Sequence, residues 1–273
     1  EVTLLGQNVN SYGRDLTLKL RGTEVSAESS ELVGEAWVRG PHTARPLFSD
    51  LLSSVAEVTG IRRVRYTSPH PKDLRPETID AMAQVPEVCE HLHLPLQSGS
   101  DNVLSAMHRG YTADRYIEKV DAARRQIPDL ALSTDIIVGF PGETDVDFER
   151  TLEVAAEVRF DNAYTFVYSP RPGTEAAELV QRFVPAKVSA ERMERLRRVI
   201  ERTSLKGNES RIGHDEEVIV EGQSKRDSEM LTGRTRHNRL VHFPAREKIR
   251  PGSYAQVRVT EARTFNLVGE LLE

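Results

Sequence analysis

The chain has 273 residues, 38% of them hydrophobic, and a formal net charge of −5, so it can bury one large core and carry a small second domain. Its apolar runs are shorter than the ~20 residues of a membrane-spanning helix, and its first residues do not form a signal or transit peptide, which favours a cytoplasmic protein without membrane contact. The single cysteine, Cys89, excludes a disulfide framework.

Up to residue 175 the chain is predicted to alternate between short strands and helices. Runs of apolar and β-branched residues predict the strands, at 2–5, 63–67, 91–97, 130–138 and 163–168. Apolar spacing and capping residues predict the helices, at 48–59, from Pro76, from Thr112 and from Thr144 to Val158. A polar segment at 11–46, which contains the only tryptophan, Trp37, is expected to be functional or mobile. The alternation predicts an α/β fold, a partial parallel βα barrel whose first unit is missing.

A second, smaller domain is predicted after a long helix. This helix, at 189–206, has one apolar side and Gly207 as its predicted C-cap. The apolar period then changes to two, which predicts five short strands, at 217–221, 229–235, 239–243, 254–261 and 266–271. Their number and spacing favour a small antiparallel β-barrel of the kind that binds nucleic acid, with a structural lid as the alternative. The predicted domains are therefore 1–207 and 208–273.

Polar residues and glycines follow three of the predicted strands, at the carboxyl ends where parallel α/β sheets bind ligands. The amides of Gln7-Asn8 suit the charged end of a ligand such as S-adenosylmethionine, and Gln97 with Ser98 could bond a ribose hydroxyl. Asp135 would be a buried carboxylate that needs a partner. Gly139 would let the backbone approach an adenine ring closely, although a tight turn is the commoner reason for any one glycine.

Two histidines at a spacing of two, His91 and His93, lie on the same strand face as Gln97. Such a pair could ligate a metal, but neither a carboxylate nor a thiol accompanies it on that face. We therefore expect satisfied interior histidines rather than a metal site. Cys89 precedes this strand at the end opposite the expected site, and we interpret it as core filler.

A basic strip lies in the predicted β domain. Between Lys225 and Arg250 there are eight basic residues and three acidic ones, although the chain as a whole is acidic. Such a strip suggests a polyanion contact. An ordinary solvated face explains the charge alone equally well.

Six longer words in the sequence together point to one family. They are LLGQNVNSYG, RYTSPHPKD, HLHLPLQSGSDNVLSAMHRGYT, STDIIVGFPGETDVDFERTL, FDNAYTFVYSPRPGT and GRTRHNRLVHF, and they cover almost the whole chain. On these words the chain closely resembles the radical S-adenosylmethionine methylthiotransferases, and among them the tRNA 2-methylthio-dimethylallyladenosine synthases. The resemblance implies a radical-SAM partial βα barrel followed by a TRAM domain, a small β-barrel that grips RNA.

The same resemblance implies S-adenosylmethionine as cofactor and the anticodon stem-loop of tRNA as partner of a monomeric enzyme. The cofactor would be met by Gly6, Gln7 and Asn8 at its methionyl amine, Gln97 and Ser98 at its ribose, and Ile137 to Gly139 at its adenine, with Asp135 on the same strand. The RNA would be met at the barrel mouth by Arg171 and Thr174, and on the β domain by Lys225, Arg234, Arg236, His237, Asn238 and Arg239. The arginines at 234, 236 and 239 are expected to contact phosphates, which would make RNA binding salt-dependent.

The cysteines depart from the family. Its members hold a radical-generating 4Fe-4S cluster on a CxxxCxxC motif after the first barrel strand, and a second 4Fe-4S cluster on three cysteines of an N-terminal domain. This sequence contains neither set, and Cys89 matches no ligand of the family. We therefore expect a fragment that starts at the second barrel strand and is inactive as given.

Three other functions compete with this interpretation. A non-catalytic RNA-binding protein would also explain the missing cysteines. A methylthiotransferase that acts on a ribosomal-protein aspartate shares the GFPGET word but differs at the first strand end and at the SPHP segment. A βα-barrel lyase or aldolase would need an inward lysine or a metal triad at the strand ends, and the sequence offers neither.

Overall fold

The computed structural model describes residues 1–14, 46–225, 227–246 and 249–272. Their contacts divide the chain into two compact units, Glu1–Cys89 and Glu90–Glu273. Most of the polar segment predicted at 11–46, including Trp37, lies outside the described residues. Within the described ranges, no helix combines the length and the apolar character needed to cross a bilayer.

The first unit pairs two strands in parallel and packs helices against them. Strand β1 (Val2–Leu4) lies beside β2 (Val64–Tyr66), helix α1 is Phe48–Ala56 and helix α2 is Pro76–Gln84, while 3-10 turns span Val9–Ser11 and Pro71–Asp73. The rings of Phe48 and Tyr66 meet edge to face at 5.0 Å between centroids, and both are buried. Helix α1 ends three residues before the predicted position.

The second unit begins with three parallel strands in the order β3–β4–β5. The strands are β3 (His91–His93), β4 (Ala131–Val138) and β5 (Asn162–Val167), and the helices between them are α3 (Asp101–Ala106), α4 (Ala113–Gln126) and α5 (Asp145–Val158). Thr112 caps α4, and Thr144 with Asp147 forms the capping box of α5, as predicted. Helix α3 was not anticipated.

Strand β3 is shorter than its polar and apolar alternation suggests. The leucine face is confirmed, since Leu92, Leu94 and Leu96 are fully buried. The regular ladder stops at His93, because Leu96 N donates to the hydroxyl of Thr134 instead of a backbone carbonyl of β4, and Gln97 takes a left-handed backbone conformation with φ of 66°. The last part of the predicted strand is therefore a bend that leads to the carboxyl edge of the sheet.

A short helix α6 (Glu175–Glu178) and a 3-10 turn (Val180–Arg182) lead into the long helix α7 (Ala186–Glu209). The prediction that Gly207 caps this helix was wrong, because the helix continues to Glu209 and its C-cap is Ser210. The glycine serves packing instead. A Cβ added to Gly207 would lie 2.8 Å from Oδ1 of Asp161, so the missing side chain leaves room for that carboxylate.

Five strands after α7 form a closed barrel in the described residues. They are β6 (Asp215–Gln223), β7 (Met230–Thr235), β8 (Leu240–Pro244), β9 (Tyr254–Ala262) and β10 (Leu267–Leu271), in the order β10–β8–β7–β6–β9. Their inner side chains form a buried core that includes Val218, Phe243 and Val257. The barrel is confirmed but not wholly antiparallel, since β10 pairs with β8 in parallel. Four antiparallel pairs around a ring of five strands leave the fifth pair parallel.

Candidate functional site

A cavity of 730 Å³ opens at the carboxyl ends of β4 and β5, within the usual range for small-molecule sites. Five residues predicted for the site line it together, namely Gln97, Asp135, Ile137, Arg171 and Thr174. They come from three separate words of the sequence, and the fold brings them to one place. The remainder of the lining includes aromatic side chains, among them Phe140, Phe166 and Tyr168.

Gln97 is held in the cavity wall by strand β4. Its backbone N–H donates to Asp135 O at 2.8 Å, and its carbonyl accepts from Ile137 N at 2.9 Å. A left-handed conformation is costly for a residue with a Cβ, and it persists where the surrounding structure fixes it, most often at functional sites. These two backbone bonds fix the position of Gln97, whose side-chain amide lies nearly buried at the edge of the cavity, since the residue is only 8% exposed.

Asp135 is only partly buried, at 28% exposed, and not fully buried as predicted, but it does have a partner. Its Oδ2 lies 3.4 Å from Nε2 of His93, whose Nδ1 lies 2.9 Å from Oγ of Ser133. The same hydroxyl lies 2.9 Å from Nε2 of His91. The prediction of satisfied histidines is confirmed, and the described residues contain no group of three or more side chains suited to hold a metal.

Two polar atoms at the cavity lack a hydrogen-bond partner in the described structure. They are the hydroxyl of Tyr168 and Nε of Arg109, and both atoms are buried. Buried polar atoms are nearly always satisfied, so a polar ligand or a bound water in the cavity would complete these two. Sequence reasoning missed both residues, although they lie in the words HRGYT and VYSPRPGT.

Ser98 and Gly139 are predicted cofactor contacts that do not line this cavity. The Ser98 hydroxyl lies 3.2 Å from Oγ1 of Thr151 in α5 and accepts from Ser100 N at 3.2 Å. Gly139 has a φ of 74°, and the space where its Cβ would lie is taken by Ser189 of α7. In the structure, therefore, Ser98 links the end of the β3 segment to helix α5 by a hydrogen bond. The missing side chain of Gly139 lets helix α7 pack closely against the loop after β4.

Glu143 is the fifth residue of the GFPGET word, and sequence reasoning missed it. Its carboxylate accepts from Gly139 N at 2.8 Å and Phe140 N at 3.3 Å, and it pairs with Nη1 of Arg192 at 2.9 Å. Burial raises the pKa of this carboxyl, and Arg192 and the two backbone N–H groups lower it, but burial prevails. The strand-end loop is thus tied to α7 by a buried ion pair.

Three predicted cofactor contacts belong to the first unit. Gly6 and Gln7 are exposed, whereas Asn8 is partly buried. The Asn8 Nδ2 donates to Oδ2 of Asp73, and the hydroxyl of Ser11 donates to the same oxygen at 2.9 Å. The segment after β1 is therefore anchored to the turn at Pro71–Asp73, and Oδ1 of Asn8 is a buried acceptor without a partner in the described residues.

The predicted RNA contacts on the β domain are mostly engaged in ion pairs. Lys225 is exposed, but the other basic side chains each meet a carboxylate. Arg234 meets Glu221, Arg236 meets Glu90, His237 meets Asp129 and Arg239 meets Asp161. Asn238 accepts a hydrogen bond from Arg234. Three of the four carboxylates lie in the α/β part of the second unit rather than on the barrel.

Cys89 is the only thiol of the sequence and is 2% exposed. Its interpretation as core filler is confirmed by this burial. A 4Fe-4S cluster needs several thiolates, so the residues present in this chain do not fit such a cluster.

Comparison with known proteins agrees with the domain order. Sequence profiles match residues 36–155 to the radical SAM superfamily and residues 209–272 to the TRAM domain. The chain carries radical SAM and TRAM domains. Among solved structures, a coproporphyrinogen III oxidase from Escherichia coli, described as a radical SAM enzyme, superposes with a TM-score of 0.51 at 11% identity, over 94% of this chain and 66% of that one. At this identity the likeness shows the fold alone, and it confirms the predicted α/β architecture.

Curated relatives carry a more specific name. A tRNA-2-methylthio-N(6)-dimethylallyladenosine synthase from Moorella thermoacetica is 45% identical over all 273 residues, which are 55% of its own length. Such a synthase from Mycobacterium marinum is 44% identical over 99% of this chain and 50% of its own length. The predicted resemblance is confirmed. The chain spans about half the length of these relatives. The radical SAM match implies S-adenosylmethionine and a 4Fe-4S cluster as cofactors of that family.

Proposed function

We propose that this chain is part of a tRNA-modifying methylthiotransferase, which adds a methylthio group to the prenylated adenosine next to the anticodon. Residues 1–207 supply the cofactor site and residues 208–273 an RNA-binding barrel. The observation that carries the proposal is the cavity at the carboxyl ends of β4 and β5, where side chains from three family words meet. The names of the relatives supply the substrate class.

S-adenosylmethionine supplies the methyl group and, by reductive cleavage, the radical in such enzymes. In this chain Gln97 would bond the ribose, Ile137 would pack on the adenine, and Asp135 would accept from a hydroxyl. From the resemblance, we propose that Gly6, Gln7 and Asn8 meet the methionyl amine. Ser98 and Gly139 would act on the ligand only through the backbone that they position. The two 4Fe-4S clusters of the whole protein would need cysteines that are not among these 273 residues.

The tRNA would meet two surfaces. Arg171 and Thr174 are exposed at the rim of the cavity, where a target adenosine would enter. On the barrel, Lys225, Arg246 and Arg250 are exposed and have no carboxylate partner among the described residues. They lie in the β6–β7 and β8–β9 connections, which the hydrogen bond from Ala245 N to Glu229 O joins at one end of the barrel. We propose a monomer that acts on tRNA in the cytoplasm.

The cofactor site predicts a specific loss of binding. Equilibrium dialysis with labelled S-adenosylmethionine should show that Gln97→Leu weakens binding roughly 5- to 30-fold, since one buried polar contact is worth about 1–2 kcal/mol. Gln126→Leu, the same change at an exposed position of α4, should bind like the wild type. RNA binding with no S-adenosylmethionine binding in the wild type would instead favour the non-catalytic RNA-binding alternative.

The RNA surface predicts a change in salt dependence. Reversal of Lys225, Arg246 and Arg250 to Glu should weaken binding of an anticodon stem-loop RNA and lower the log–log salt slope by roughly 2–3, at about 0.7–0.9 per lost phosphate contact. The control is reversal of Arg258 and Arg263, which are exposed on the same barrel but paired with Asp215 and Glu261. Equal losses in both variants would mean that net charge alone, and not this surface, determines RNA binding.

A further inference from the structure

Three carboxylates mark the amino ends of three neighbouring parallel strands. Glu90 immediately precedes β3, Asp129 lies two residues before β4, and Asp161 immediately precedes β5. Parallel strands bring their amino ends to one edge, opposite the edge that carries the ligand cavity. The three carboxylates therefore form an acidic edge of the α/β domain, on the side away from the candidate cofactor site.

The connection between β7 and β8 brings three basic side chains to this acidic edge. Arg236 makes a two-pronged pair with Glu90, with Nε and Nη2 each 2.7 Å from a carboxylate oxygen. Such bidentate pairs fix geometry as well as charge. Burial raises the pKa of the Glu90 carboxyl, but the hydrogen bonds and charge of Arg236 outweigh it, so the pKa lies below its usual value.

Arg239 makes the second contact and is more enclosed than Arg236, which is 25% exposed. Its side chain is 11% exposed; Nη2 meets Oδ1 of Asp161 and Nη1 meets Oδ1 of Asn208 in α7. The other oxygen of Asp161 accepts from Leu132 N at 2.8 Å, at the start of β4. Gly207 leaves the space that this pair occupies. One arginine of the barrel thus joins the long helix to two strands.

His237 makes the third contact. Its Nε2 lies 3.0 Å from Oδ2 of Asp129, and Arg211 pairs with the same carboxylate at 2.9 Å and with Glu216 at 2.5 Å. Arg211, His237 and Glu216 are 11%, 10% and 5% exposed. Arg211 also lies in the turn that leads from α7, which ends at Glu209, to β6, which begins at Asp215. This cluster therefore includes a residue of the linker between the α/β part and the barrel.

We infer that Arg236, His237 and Arg239 form a docking latch that fixes the TRAM barrel on the acidic edge of the radical SAM domain, and that they do not contact RNA phosphates. Each side chain lies beside a carboxylate of the acidic edge. The basic side chain of each pair is at most 25% exposed, although Asp129 itself is 64% exposed. RNA contact then belongs to the opposite end of the barrel, with Lys225. The latch goes beyond the proposed function, and its main test uses no RNA.

The test is a charge swap, read by trypsin cleavage after Arg211 in the full 273-residue chain. Arg236→Glu and Glu90→Arg should each speed this cleavage at least tenfold, because a like-charge pair would open the interface around the linker. The double variant Glu90→Arg/Arg236→Glu should restore cleavage to within about threefold of wild type. Arg258→Glu, an exposed position of the barrel outside the latch, should not change the rate.

Unchanged cleavage in the single variants, or a swap that fails to restore protection, would overturn the latch. If the reversed single variants do not fold, Arg236→Gln and Glu90→Gln supply the same test. Because the two residues are partners, the double variant Arg236→Gln/Glu90→Gln should speed cleavage by less than the two single effects combined. The swapped chain also separates docking from RNA contact. Stem-loop affinity within twofold of wild type supports the latch, whereas a large loss with docking restored would make Arg236 a phosphate contact.

Discussion

Replacement of Arg192 by Met should lower the free energy of unfolding by about 3–5 kcal/mol, because it strands a buried carboxylate. Arg192 and Glu143 are 6% and 3% exposed. Without the guanidinium, Glu143 would retain only two backbone donors in a site where burial already raises its pKa. Thermal melting should record a fall of roughly 10 °C for a domain of this size.

Arg195→Met is the matched control. Arg195 lies one turn further along the same helix. Both guanidinium groups lie over the ring of Phe148, with Cζ of Arg192 5.6 Å and Cζ of Arg195 5.3 Å from the ring centroid. Its pair with Glu149 is half exposed, so its loss should cost at most about 1 kcal/mol. Equal losses in the two variants would show that contact with Phe148, and not the buried charge pair, is what stabilises this helix.

The stability loss of Arg192→Met should also depend on pH. A carboxyl whose pKa is raised on folding makes the folded state less stable as the pH rises, because the folded state binds more protons. Loss of Arg192 raises the pKa of Glu143 further. The deficit of Arg192→Met should therefore grow as the pH rises from 5 to 8, because a larger fraction of Glu143 is then ionised in its buried site. A deficit independent of pH would mean that Glu143 does not stay buried in the variant.

Local signals account for what the sequence could predict. The caps at Thr112 and Thr144 and the leucine face at Leu92 to Leu96 depend on neighbouring residues, and the structure confirms all of them. The meeting of Gln97 and Asp135 in one cavity follows from the rule that parallel strands bring their carboxyl ends together.

What could not be predicted depends on pairs that are distant in the chain. The sequence shows neither the pairing of Arg236 with Glu90 nor the carboxylate of Asp161 in the space beside Gly207. The charge composition of a segment counts its basic residues, but it does not show which acidic residues the fold places beside them. The same limit hid Glu143, whose partner Arg192 lies 49 residues away.

Gly139→Ala should test what this glycine is for, and we expect a loss of about 2–5 kcal/mol in folding stability. A left-handed backbone with a Cβ costs about 1–2 kcal/mol, and insertion of a methyl group into a packed site costs about 1–3 kcal/mol more. The new Cβ would clash with Oγ of Ser189 and lie 3.1 Å from its Cβ. Because Ser189 is 3% exposed in helix α7, it cannot move away without disturbing the helix.

Gly213→Ala and a second-site change separate the two contributions. Gly213 has a similar φ of 85° but nothing within 4 Å of its missing Cβ, so its substitution should cost only the backbone part, about 1–2 kcal/mol. Ser189→Ala, introduced beside Gly139→Ala, should recover part of the steric loss by removing the hydroxyl. If Gly139→Ala instead melts like Gly213→Ala and loses S-adenosylmethionine binding, the glycine admits the adenine, as the sequence first suggested. A stability loss that Ser189→Ala relieves would assign the glycine to helix packing. The shape of the cavity wall would then depend on how closely α7 packs against the loop after β4.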